Sequence, residues 1–124
     1  TNSLELDNDI LYTGDSEINI TGNNGILQLN DKTLLIDGNL TLNDVSLIEG
    51  TRFDVGYGII YITGDLTINS WRDLTINNTL IMVSGEVFIN SDRGGILQGD
   101  NFNIISKTVR ITWFYWWFCD ILTK

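Results

Sequence analysis

The stretches GDLTINSWR (residues 64–72) and GEVFINSDR (residues 85–93) agree in glycine, an acid, an aliphatic, isoleucine, asparagine, serine and arginine at fixed places. GNLTLN (residues 38–43) fits the front of the same pattern: glycine, any residue, aliphatic, any residue, aliphatic, asparagine. Upstream, SEINIT (residues 16–21) keeps the aliphatic alternation alone and reads as a degenerate first copy. From Ser16 through Gly38, Gly64 and Gly85 the intervals are 22, 26 and 21 residues. Self-similarity at a period of 20–50 residues is the signature of a stacked repeat architecture.

Working outward, short apolar alternations fill the gaps: ILQLN (26–30), LLID (34–37), IIYIT (59–63), LTINN (74–78) and NFNII (101–105). Each interval therefore holds two or three short strands punctuated by Gly, Asn, Asp or Ser. In LTI, Leu66 and Ile68 face one way and Thr67 the other, so stacking puts aliphatic pairs inside and leaves Thr41 and Thr67 in an outer row. The asparagines that close the copies, Asn43, Asn69 and Asn90, can donate and accept along the stack as a ladder. Gly38, Gly64 and Gly85 with these asparagines form the structural repeat. The prediction is an all-β, right-handed parallel β-helix (solenoid) of about five coils over residues 1–110. β-Sandwiches and up-and-down barrels also carry many short strands, but they do not call for a Gly-to-Asn motif at constant register.

Composition agrees. The 124 residues make one domain, with 43% hydrophobic content, no Pro, 12 Gly and no Ala, the best helix former. A net charge of −9 and a pI near 4.1 argue against nucleic acid and anionic membrane surfaces as partners, and serve solubility. The single Cys119 cannot pair within the chain. No basic segment followed by an apolar one opens the chain at Thr1, so a signal peptide is absent or removed. The most apolar run, residues 111–122, is broken by Thr112 and Asp120 and falls short of the about 20 residues of a membrane-spanning helix.

After Asn103 the motif ends and the chain turns to WFYWWF: Trp113, Phe114, Tyr115, Trp116, Trp117 and Phe118. A strand built from it is apolar on both faces, so residues 111–124 are expected to form a cap on the last coil or an interface with another chain. Asp120 weighs against an interfacial membrane anchor.

Candidate chemistry is sparse. Without His, Ser-His-Asp and Cys-His catalysis and histidine metal sites are excluded. The Asp residues sit in turns, where their side chains bond local backbone. Asp7 and Asp9 in DND lack the glycine and distal Glu of a calcium loop, and suit a capping segment. Arg72 and Arg93, equivalent in the two best copies and preceded by Lys32 and Arg52, form a candidate ligand stripe for acidic glycans; Asp73 and Asp92 beside them favour a neutralised surface instead. The single threonine row is a weak match to the paired threonines of ice-binding arrays. The sequons at Asn19, Asn39 and Asn77 are near chance in so Asn- and Thr-rich a chain. Neither a cofactor nor a metal is expected.

The repeat resembles those of the right-handed parallel β-helices of the pectin-lyase-like group. FINSDRGGILQG (88–99) is similar to the repeat of polymorphic outer-membrane and autotransporter passenger proteins, with Phe88, Asn90, Gly94, Gly95 and Ile96 in matching order, a shorter Phe-to-Asn spacing and Leu97 following. GNNGI (22–26) is similar to surface-exposed filamentous adhesins, and the small all-repeat chain resembles bactofilins, whose coils are shorter and more regular. These resemblances imply a non-enzymatic structural or adhesive module, secreted or at the cell surface, whose partner is protein, by self-association or through neighbouring repeats, or a glycan. The alternatives are an end-to-end polymerising filament protein of the bactofilin type and a carbohydrate-binding or carbohydrate-active β-helix.

Overall fold

The computed structural model describes residues 3–20, 25–53, 55–116 and 121–123, with the backbone alone for 113–116 and 121–123. Thirteen strands and no helix occur among them: β1 (Ser3–Glu5), β2 (Ile10–Thr13), β3 (Ser16–Asn19), β4 (Gly25–Gln28), β5 (Thr33–Asp37), β6 (Leu40–Asn43), β7 (Val45–Glu49), β8 (Gly58–Ile62), β9 (Leu66–Ser70), β10 (Leu74–Val83), β11 (Glu86–Ser106), β12 (Thr108–Trp116) and β13 (Ile121–Thr123). Every pairing between them is parallel. The chain winds as a parallel β-solenoid of about five turns, and each turn contributes one strand to each of three faces.

The first face stacks β1, β4, β7, the start of β10, the middle of β11 and the end of β12. The second stacks β2, β5, β8, the end of β10, the end of β11 and β13. The third stacks β3, β6, β9 and the starts of β11 and β12. In the long strands β10 and β11 the pairing carries through the corners, which turn at Asn78, Gly94 and Asn101 with φ of 52°, 66° and 58°. Asparagine and glycine are the residues that tolerate this left-handed backbone.

Alternation places the core as the sequence implies. On the third face Leu40, Leu66 and Val87 stack in register, followed by Leu42, Ile68 and Ile89, all at most 1% exposed. On the second face Leu34, Ile60, Ile81 and Ile104 stack, with Ile36 and Ile62 beside them; on the first, Leu27, Ile48 and Ile76. Each such side chain stabilises the fold by about 1.5–3 kcal/mol relative to exposure, and the parallel ladders satisfy the backbone. Thr41 and Thr67 align on the outside, between Glu17 and Phe88.

Three readings of the sequence are refined. The first copy is not SEINIT stripped of Gly and Asn: Ser16 pairs with Leu40 and Asn19 with Asn43, so the copy is GDSEIN and starts at Gly14. Ser16 at the first inward position hid it. The long interval between Gly38 and Gly64 comes from the third coil, where residues 51–53 and 55–57 form a loop between the first and second faces. Finally, parallel pairing outlasts the motif, because Lys107 N–H bonds Gly85 O at 3.2 Å and Ile111 pairs with Ile89.

Candidate functional site

The corner between the third and first faces carries the asparagine ladder. Asn43 Nδ2 donates to Asn19 Oδ1 (2.7 Å), Asn69 Nδ2 to Asn43 Oδ1 (2.8 Å) and Asn90 Nδ2 to Asn69 Oδ1 (3.1 Å). Asn43 Nδ2 also reaches Glu17 Oε2 at 3.0 Å. The serine that follows in the two best copies turns inward: Ser70 Oγ donates to Asp73 O (2.8 Å) and Ser91 Oγ to Arg72 O (2.6 Å), and both hydroxyls are buried. A buried hydroxyl must find such a partner.

A second ladder runs along the corner between the second and third faces, at the residue after each glycine, which the sequence pattern left unassigned. Asp15 Oδ1 accepts from Asn39 N–H (3.0 Å), Asn39 Oδ1 from Asp65 N–H (2.8 Å) and Asp65 Oδ1 from Glu86 N–H (2.9 Å). This explains Gly64 and Gly85. A Cβ on Gly64 would run into Asn39 Oδ1, and one on Gly85 into Asp65 Oδ1, while their amides bond the glycine one coil earlier at 2.8 and 2.9 Å. Asp, Asn, Asp and Glu in this one slot are the signal that was available in the sequence.

A third line of bonds follows the corner between the first and second faces. Asn78 Nδ2 donates to Glu49 Oε2 (3.0 Å), Asn101 Nδ2 to Asn78 Oδ1 (2.8 Å) and Asp100 N–H to Asn77 Oδ1 (3.0 Å). Polar side chains at all three corners thus bond one coil to the next.

The candidate ligand stripe divides in the structure. Arg72 and Arg93 lie at the corner between the third and first faces, whereas Lys32 and Arg52 lie at the corner between the first and second. The Arg93 guanidinium sits 4.5 Å over the Trp71 ring, and Arg52 sits 5.7 Å over Phe53. Cation–π stacking of this kind contributes about 0.5–1 kcal/mol at exposed sites. Asp73 Oδ1 accepts from Ile96 N–H at 2.9 Å, so it belongs to the turn. Of the aromatic block, Trp113, Phe114, Tyr115 and Trp116 close β12, and Trp117 and Phe118 lie outside the described residues. No cluster of metal-ligating side chains occurs among the described residues, and no helix there is long and apolar enough to cross a membrane.

What the sequence reading missed is the outside of the second face. Leu11, Leu35, Tyr61, Met82 and Ile105 are in register and point outward, with Leu11 72% and Tyr61 38% exposed. Ile59 and Leu80 form a partial second row. Tyr61, Met82, Ile105 and Lys107 line a groove of about 460 Å³. At the third coil the loop beside this face exposes Phe53 (77%) and Val55 (75%). The first outer face carries Gln28, Glu49, Thr75 and Asn77 beside Ile26 and Leu47, and the third carries Glu17, Thr41 and Thr67 before Phe88, so neither has an unbroken apolar row. The signal was the run type: LLI, IIYI and LIMV are continuously apolar where half-exposed strands alternate.

The geometry defines the molecule as a parallel β-solenoid held by side-chain ladders at its corners. Comparison with known proteins gives no matching family model, no matching curated protein and no matching solved structure.

Proposed function

We propose that the chain is a non-enzymatic structural or adhesive β-solenoid module of a secreted or cell-surface protein, of the kind its resemblance to autotransporter passenger repeats and the pectin-lyase-like group implies. One observation carries the reading. Carboxylates and amides such as Asp15, Asn39, Asp65 and Asp73 are engaged in coil-to-coil bonds, while the outer second face is an exposed apolar sheet surface. Such a face is an asset for contact and a liability for a free monomer. The test is a panel of acidic and neutral polysaccharides assayed for cleavage, alongside antibody labelling of intact source cells. The expected result is surface labelling and no product; product formation abolished by Asp73→Asn or Asp92→Asn overturns it. Loss of glycan binding in an Arg72→Ala, Arg93→Ala double variant would instead support the carbohydrate-binding alternative.

A second reading, an end-to-end filament of the bactofilin type, draws on the first coil. There, among the described residues, β1, β2 and β3 each pair with one neighbour, and Ile10, Tyr12, Ile18, Leu34 and Ile36 line an opening at that end. Filaments that lengthen with protein concentration in electron microscopy would favour it.

A further inference from the structure

We infer that the outer second face is a self-complementary interface on which two copies of this chain pair with their coils running in opposite directions. The inference rests on the reading of the chain as a structural module and names its partner. Three observations carry it. The first is the order of side chains along the face: Leu11, Leu35, Tyr61, Met82, Ile105 on the five strands from β2 to the end of β11, with β13 stacked beyond them and left overhanging at each end of the pair. Reversed against itself, this row sets aliphatic or Met side chains opposite one another throughout, with Tyr61 meeting Tyr61 of the partner at the centre. A two-fold interface requires such self-complementarity.

The second observation is charge. Residues 1–24 hold Glu5, Asp7, Asp9, Asp15 and Glu17 and no cation, whereas residues 101–112 hold Lys107 and Arg110 and no acid. Arg110 is already matched to Glu86 at 3.7 Å. Lys107 is exposed at the far end of the groove, at the same edge of the second face as Asp15 and Asp37. Pairing with coils reversed brings Lys107 of each copy to the Asp15–Asp37 edge of the other. Pairing with coils aligned swaps the two edges and sets Asp15 and Asp37 against Asp9 and Asp31 of the other copy, acid against acid, which is penalised.

The third is size. Five residues across and five coils high make the face about 16 Å by 24 Å, or roughly 400 Å² per copy, half the ~800 Å² of a standard interface. With the two-fold axis lying along the strands through the third coil, the loops that carry Phe53 and Val55 leave the same edge at mid-height and meet each other. Their contact enlarges the interface and accounts for two apolar side chains held more than 70% exposed. The affinity expected for so modest an area is micromolar.

The test is sedimentation equilibrium up to about 500 µM, a range that reveals micromolar pairing, combined with cysteine cross-linking in a Cys119→Ser background. Dimers are expected. Tyr61→Glu, checked for native circular dichroism, should weaken them by more than about tenfold, and Tyr61→Ser serves should the glutamate variant not fold. Lys107→Glu should weaken the dimer and Lys107→Glu with Asp37→Lys should restore it. Under oxidation Tyr61→Cys should link to itself, and Leu11→Cys should link to Ile105→Cys but not to itself. A monomer throughout the range, a Leu11→Cys homodimer, or open-ended filaments each overturn the inference. Of these, a monomer that still labels the cell surface and cleaves no glycan leaves the structural-module reading standing, whereas glycan cleavage removes that reading whether or not the chain dimerises.

Discussion

At the scale of single residues, the repeat is a set of solutions to one problem: joining coils at corners where strand pairing weakens. Asn69 donates to Asn43 and accepts from Asn90, so Asn69→Ala removes two bonds from a half-buried line. The expected loss is about 1–2 kcal/mol in urea unfolding, against less than about 0.5 kcal/mol for Thr67→Ala one strand position pair away on the outer face. Gly85→Ala presses a methyl group onto Asp65 Oδ1 and Gly64 O and should cost about 1–3 kcal/mol by the same measurement. The asparagine ladder was legible because asparagine recurs unchanged at its slot. The second ladder was not, since Asp15, Asn39 and Asp65 mix acid with amide until a shared acceptor oxygen gives them one role.

Among the elements, alternation made the third face readable strand by strand, and Ile68, fully buried between Leu42 and Ile89, is where that reading is easiest to check. Ile68→Ala should destabilise by about 2–5 kcal/mol, the range for a buried cavity. The second face was harder, because a strand with apolar side chains on both sides looks the same whether a partner molecule or another layer covers its outside. The third-coil loop offers a different check. In the fourth coil Asn78 alone spans from Asn77 to Thr79, the positions that pair onward from Glu49 and Gly58. Replacing residues 50–57 with one Asn should therefore keep the β-solenoid, with native circular dichroism and a stability change under about 1 kcal/mol.

For the molecule as a whole, the contacts of each coil are with its two neighbours, so stability is local and additive along one direction. Amide hydrogen exchange should show it: β1, β2 and β3, paired on one side, are expected to exchange fastest, and β9 with the second half of β10 slowest. Uniform protection across all coils would contradict this. The overall architecture was legible from a period of 21–26 residues, whereas the use of its outer surface depends on which rows of side chains align, and that only the register shows. The same register has an electrical consequence. Asn43, Asn69 and Asn90 each donate toward the first coil, and Asn43 and Asn69 accept from the next, so the amide dipoles add head to tail as peptide dipoles do in a helix. Glu17 places its carboxylate at the positive end, bonded to Asn43 at 3.0 Å, in the position an acid takes at a helix N-terminus. The rod thus has a built-in polarity, a plus end and a minus end, written in side chains rather than in backbone.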